Sequence, residues 1–170
     1  MKYIKPSFLF FYLAALAIMI SETGYSQQKK DSSLYYYNKI IKPETSSDLT
    51  NAYIFFDSHK KNALVLKDTL TAILDLRYIA EIQNKLGSLY DSEDSAIQAM
   101  TYLDNLKGDD TLIEPRFGIY NHLGIIYRQF KDYDKSINYY NKALKITQNA
   151  NHIASIDNNK ACLLYTSQIP

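Results

Sequence analysis

The chain has 170 residues, 46% of them hydrophobic and 22% charged, with a formal net charge of +1. That balance suits one ordinary folded domain with short extras, and it offers neither the basic excess of a nucleic-acid binder nor an acidic tail. Cys162 is the single cysteine, which excludes an internal disulfide, and no Cys/His spacing reads as a metal site.

Residues 1–26 read as a signal peptide. Lys2 and Lys5 supply the positive start, and Phe8 to Ile20 is an unbroken apolar run. The run is short for a spanning helix, which needs about 20 residues. Gly24 and Ser26 are small residues at the spacing of a cleavage site. Cleavage is expected after Ser26; the alternative is an uncleaved N-terminal anchor. Either way the remainder is exported.

Residues 27–45 read as a linker and a short helix that stops before Pro43. Ser46, Ser47 and Asp48 offer caps for the next helix. That helix carries Leu49, Ala52, Tyr53, Phe56 and Ala63 to about Lys67, as the second half of a degenerate repeat, 46–67. Asp68 or Thr69 starts another, with a stripe of Ile73, Leu76, Ile79, Ala80 and Leu86 closed by Gly87. Ser92, Ala96, Ala99, Met100 and Leu103 then line its partner helix, completing a unit over 73–106.

The strongest periodicity lies in Tyr120–Leu144. Tyr120, Leu123, Gly124 and Tyr127 share one helical face. After the polar turn Lys131-Asp132, so do Tyr133, Ser136, Ile137, Tyr140, Ala143 and Leu144. Small residues Gly124, Ser136 and Ala143 fall where two helix backbones must approach. Ala80, Gly87, Leu89, Ser92, Ala96 and Ala99 align with Gly124, Lys131, Tyr133, Ser136, Tyr140 and Ala143, every pair 44 residues apart. Because Ala80 occupies the place of Gly124, Gly124→Ala is expected to be mild and Gly124→Leu damaging.

Tyr120-x2-Leu123-Gly124-x2-Tyr127, followed by Ser136-x3-Tyr140, resembles the tetratricopeptide repeat, W-x2-L-G-x2-Y then A-x3-F. The resemblance implies an all-α, right-handed solenoid of helical hairpins, with repeats at 73–106 and 117–150 and the start of another from 151. The usual period is about 34 residues; the surplus falls on Lys107–Arg116, where Gly108-Asp109-Asp110 makes a turn and Pro115 suits a first helical turn. Sixteen tyrosines and no tryptophan fit the same picture, with Tyr filling the large aromatic slots of the repeat.

Asn158-Asn159-Lys160-Ala161 opens a further first helix, with Ala161 as its small residue. Residues 162–170 read differently. Cys162 to Ser167, CLLYTS, is what one frame of a transposon mosaic end used in library preparation encodes. A non-native tail that caps nothing is expected there, and the natural chain would continue past about Ala161.

No residue pattern supports catalysis or a cofactor. The glycines are scattered and form no phosphate loop. His122 reads as a packing or rim residue, and His59 and His152 as exposed. Glu93-Asp94 and Asp109-Asp110 sit at a helix start and in a turn, where acids serve capping. In tetratricopeptide proteins the first helix of each repeat lines a groove that holds peptides. On that face lie Arg77, Glu81 and Asn84, and, 44 residues on, Asn121, Ile125 and Arg128, expected side by side. Arg and Asn suit a peptide's backbone or carboxylate. The family's carboxylate clamp uses Lys and Asn here, and it is not carried over. The resemblance therefore implies an exported bacterial module that binds a protein or peptide as scaffold or sensor input. The alternative is the extracytoplasmic part of a sensor kinase or transmembrane helix-turn-helix regulator. Neither reading involves nucleic acid through this segment, and the membrane enters only through the signal peptide or a downstream span.

Overall fold

The computed structural model describes residues 32–106 and 112–167. The expected signal peptide, residues 27–31, the Gly108-Asp109-Asp110 turn and residues 168–170 lie outside them. The described residues form helices only: α1 (32–41), α2 (Ser46–Val65), α3 (Thr69–Lys85), α4 (Leu89–Asn105), α5 (Ile113–Gln129), α6 (Tyr133–Ile146) and α7 (Ala150–Ser167). Each packs on its chain neighbours, and α5 also reaches α3 and α7, so the helices stack as a solenoid of hairpins.

The hairpins are set by their turns. Lys67, Gly87 and Lys131 each adopt positive φ, at 59°, 84° and 63°. Around Lys131, the Lys131 N–H donates to Arg128 O and the Asp132 N–H to Tyr127 O, closing the end of α5. Lys67-Asp68 and Gly87-Ser88 repeat the same pair of bonds on α2 and α3. This left-handed closure satisfies carbonyls that a helix end leaves open. The Asp68 and Asp132 side chains then cap the following helices, accepting from the N–H of Thr71 and Lys135. At α2 the cap is Thr45, whose N–H donates to Asp48, rather than any of Ser46, Ser47 and Asp48.

The 44-residue register holds in three dimensions. α3 and α5 begin and end 44 residues apart, as α4 and α6 begin 44 apart. Ser92 Oγ donates to Ala80 O at 2.6 Å, and Ser136 Oγ donates to Gly124 O at 2.7 Å. Each serine thus ties its helix to the backbone of the first helix at the point of closest approach. The facing partners differ, however. The fully buried Tyr140 ring fills the space over Gly124, where the matching residue in the other hairpin is Ala96. The expectation that Gly124→Ala is mild is overturned on that ground. The surplus over the usual period lies in α3, α4 and α5, 17 residues each, and in the connection 106–112.

First helices in a solenoid are sandwiched, and α3 and α5 bury two faces. Ile73, Leu76 and Ala80 pack with α4 and α5, while Ile79 and Ile82 join Ile40, Leu49, Ala52 and Phe56 of α1 and α2. On α5, Ile119, Leu123, Ile126 and Tyr127 face that first cluster, and Phe117 packs with Tyr140, Ala143 and Ile156. A single apolar stripe accounts for only one of these faces. Tyr53 and Leu86, assigned to stripes, are exposed. α7 takes the place of a further first helix: Ile156 and Leu163 are buried against α5 and α6. Ala161, the small residue of that helix, is exposed. Leu163, within the segment read as a non-native tail, is 2% exposed and packs with Tyr140 and Ala143 of α6.

Candidate functional site

α3 and α5 run side by side, and together they line a cleft of about 570 Å³, to which Tyr37 of α1 and His152 of α7 also contribute. Arg77, Glu81 and Asn84 line it from α3, and Asn121 and Ile125 from α5. Arg128, the sixth residue expected there, is not in the lining. It is half-buried, and its Nε is enclosed without a hydrogen-bond partner.

The side-by-side pairing of the two rows takes a different register. Arg77 lies against Gly118, one turn before Asn121: a Cβ on Gly118 would stand 2.9 Å from Arg77 Cδ and 3.1 Å from Nη1. Asn84 exchanges two hydrogen bonds with Gln129, at 2.8 and 3.3 Å, rather than meeting Arg128. Asn121 accepts from Asn159 Nδ2 of α7 at 2.9 Å. Amides therefore link the stacked first helices, and Asn158-Asn159-Lys160-Ala161 takes part in that stack.

Charge in the cleft alternates. Arg77, Glu81 and Lys85 follow one another at i, i+4 and i+8 on α3, the spacing that favours ion pairs. Among the described residues none of the three has an oppositely charged partner within 4 Å. The Arg77 guanidinium is instead held over the Tyr78 ring, 4.6 Å from its centroid.

All three histidines are enclosed, which corrects the expectation of exposed His59 and His152. His59 Nδ1 meets Asp75 Oδ2 at 2.7 Å between α2 and α3, with Phe55 stacked on its ring. His152 stacks on Phe117 at 3.8 Å, shares a hydrogen with Thr147 and lies 3.3 Å from Glu114. His122 sits at the cleft floor with Nε2 3.1 Å from Ser92 Oγ. Burial pushes its pKa down to about 4, and the nearby Arg77 charge acts in the same direction. Glu93 accepts the Tyr127 hydroxyl at 2.5 Å, linking α4 to α5 instead of capping. Asp109-Asp110 lies outside the described residues. Gly118, Phe117, His122 and His152 are cleft residues that the first-helix rows did not include. Gly118 carried a signal, since glycine is a poor choice for a helix interior unless something must come close.

The fold and the cleft define a solenoid of helical hairpins with a groove of mixed polar and apolar lining along its first helices. The family model of the tetratricopeptide repeat matches residues 118–149, which cover most of α5 and all of α6. No curated protein and no solved structure matches the chain. A tetratricopeptide repeat marks a protein–protein interaction module.

Proposed function

We propose that the cleft between α3 and α5 binds an extended peptide segment of a partner protein, without catalysis in this domain. The observation that carries this is the series Arg77, Glu81, Lys85, without ion-pair partners among the described residues, in one cleft with the amides Asn84 and Asn121 and the apolar side chains Leu74, Pro115, Phe117 and Ile125. An extended strand needs donors and acceptors along its backbone and a few side-chain sites, and this wall supplies both. In this reading the domain is exported, by virtue of residues 1–26, and serves as scaffold or as sensor input of an exported bacterial signalling protein. The test is binding of the full chain to an array of random nonapeptides, compared with a variant in which Glu81 and Ile125 are both replaced by Arg. Peptides captured by the wild type and lost by the variant support the reading. A wild type that captures none refutes it. Fractionation of cells expressing the full chain tests export: recovery solely from the cytoplasm would end that part of the proposal.

A further inference from the structure

We infer that the tip of the α2–α3 hairpin seats in the interfacial layer of a lipid bilayer, independently of what the cleft binds. The tip carries Leu64, Val65 and Leu66 in succession, 40%, 82% and 71% exposed, and Leu70 of α3 beside them is 37% exposed. The turn itself does not require apolar residues. The closures that end α3 and α5 have the same backbone geometry, yet where α2 has Leu64-Val65 they have Asn84-Lys85 and Arg128-Gln129. Neighbouring apolar side chains left in water at a projecting turn mark a contact with another body.

Two observations point to the bilayer as that body. The first is the backbone of the tip. The N–H groups of Leu66, Lys67 and Asp68 donate to Asn62 O, Leu64 O and Ala63 O. A turn whose donors are closed internally enters an apolar medium without stranding them. The long side chain of Lys67, at the apex, can return its charge to the headgroups. The second is where the chain enters the fold. α1 is antiparallel to α2, with Tyr36 stacked on Phe55, so the start of α1 points toward the tip. At 1.5 Å per residue it stops about 9 Å short of Val65. Residues 21–31 alone separate α1 from the apolar run Phe8–Ile20, a reach of at most about 40 Å. Retained in a membrane as an anchor, that run would hold the tip near the bilayer surface. Ile113 and Ile153, at the starts of α5 and α7, are exposed at the same end of the solenoid.

The chain has no tryptophan, so one introduced residue reports its own surroundings. Val65→Trp is compared with Tyr90→Trp, exposed at the opposite end of the solenoid, both as full chains with vesicles of phosphatidylcholine and phosphatidylglycerol. Both variants carry the apolar run, so they differ only in where the reporter stands. Emission of Val65→Trp should shift to the blue on adding vesicles and be quenched at least twofold by lipids brominated on their acyl chains. Tyr90→Trp should show neither effect. Adding Leu66→Asp to Val65→Trp should abolish both signals with Tm unchanged, since residue 66 is exposed. An unresponsive Val65→Trp, or an equal response from Tyr90→Trp, overturns the seating. A blue shift of Val65→Trp that grows with protein concentration without vesicles assigns the tip to a second copy of the chain and overturns the bilayer as its occupant.

Discussion

The ring of Tyr140 occupies the space that a Cβ on Gly124 would need: such an atom would stand 2.5 Å from Tyr140 Cδ1 and nearer still to Cε1. In the other hairpin the same positions hold Ala80 and Ala96, both buried. The two crossings are alternative divisions of volume between facing residues, glycine with tyrosine or alanine with alanine.

Gly124→Ala is therefore expected to destabilise by about 1–3 kcal/mol despite better helix propensity. Tyr140→Ala alone should cost about 3–5 kcal/mol through the cavity it leaves. The double variant, copying the Ala80 and Ala96 pair, should cost less than the sum of the two by about 1 kcal/mol or more. Urea unfolding of the four proteins checks this, and strict additivity would show that residues 124 and 140 do not share one space.

The two serine ties are not equivalent. Ser136→Ala removes one hydrogen bond to Gly124 O, at a cost of about 1 kcal/mol. Ser92→Ala removes the bond to Ala80 O and also takes the partner of His122 Nε2. It should cost up to about 1 kcal/mol more, because two hydrogen bonds are lost instead of one while His122 keeps its bond to the Ala80 backbone. Thermal melts of the two variants give the comparison, with Ser92→Ala melting lower.

His122 makes stability depend on pH. Its folded pKa, about 4, lies below the ordinary histidine value of 6.5, so the unfolded chain binds the extra proton between those values. The contribution of neutral His122 is full above pH 6.5 and is lost as pH falls toward 4. The loss is on the order of 3 kcal/mol, at 1.36 kcal/mol per pKa unit. Subtracting the pH profile of a His122→Gln variant from that of the wild type should isolate this fall. A flat difference between pH 4 and 6.5 would contradict it.

The turns offer a conformational test. Lys131 holds a φ of 63° that glycine adopts without strain, so Lys131→Gly should stabilise by about 0.5–1 kcal/mol. Gly87→Ala should destabilise by about 1–2 kcal/mol, and only through backbone conformation, because a Cβ there meets nothing within 4 Å. Chemical denaturation midpoints moving in opposite directions would bear both out.

Helix type, the hairpin turns and the 44-residue register were legible in the chain because they depend on neighbours within one or two turns. The periodic apolar faces of α3 to α6 identify themselves by their 3.6-residue repeat. Gly87 and the pair of Asp68 and Asp132 mark where helices close and restart. The small residues Gly124, Ser136 and Ala143 mark the crossing. The groove rows followed from the same register, and five of their six residues meet in one cleft.

Tertiary structure decided what stands opposite each residue. A sandwiched helix buries a second face, so Ile82, Ile119 and Ile126 are fully enclosed outside the single stripe that periodicity reveals. Packing between the helices set Arg77 against Gly118 and Asn84 against Gln129, and Arg128 is not in the cleft lining. His59, His122 and His152 were enclosed by partners from other helices, Asp75, Ser92 and Phe117. Local sequence governs backbone geometry through short-range sterics and hydrogen bonds. The partner across a helix interface is chosen by the packing of all its neighbours at once, and that choice is written in no single stretch of the chain.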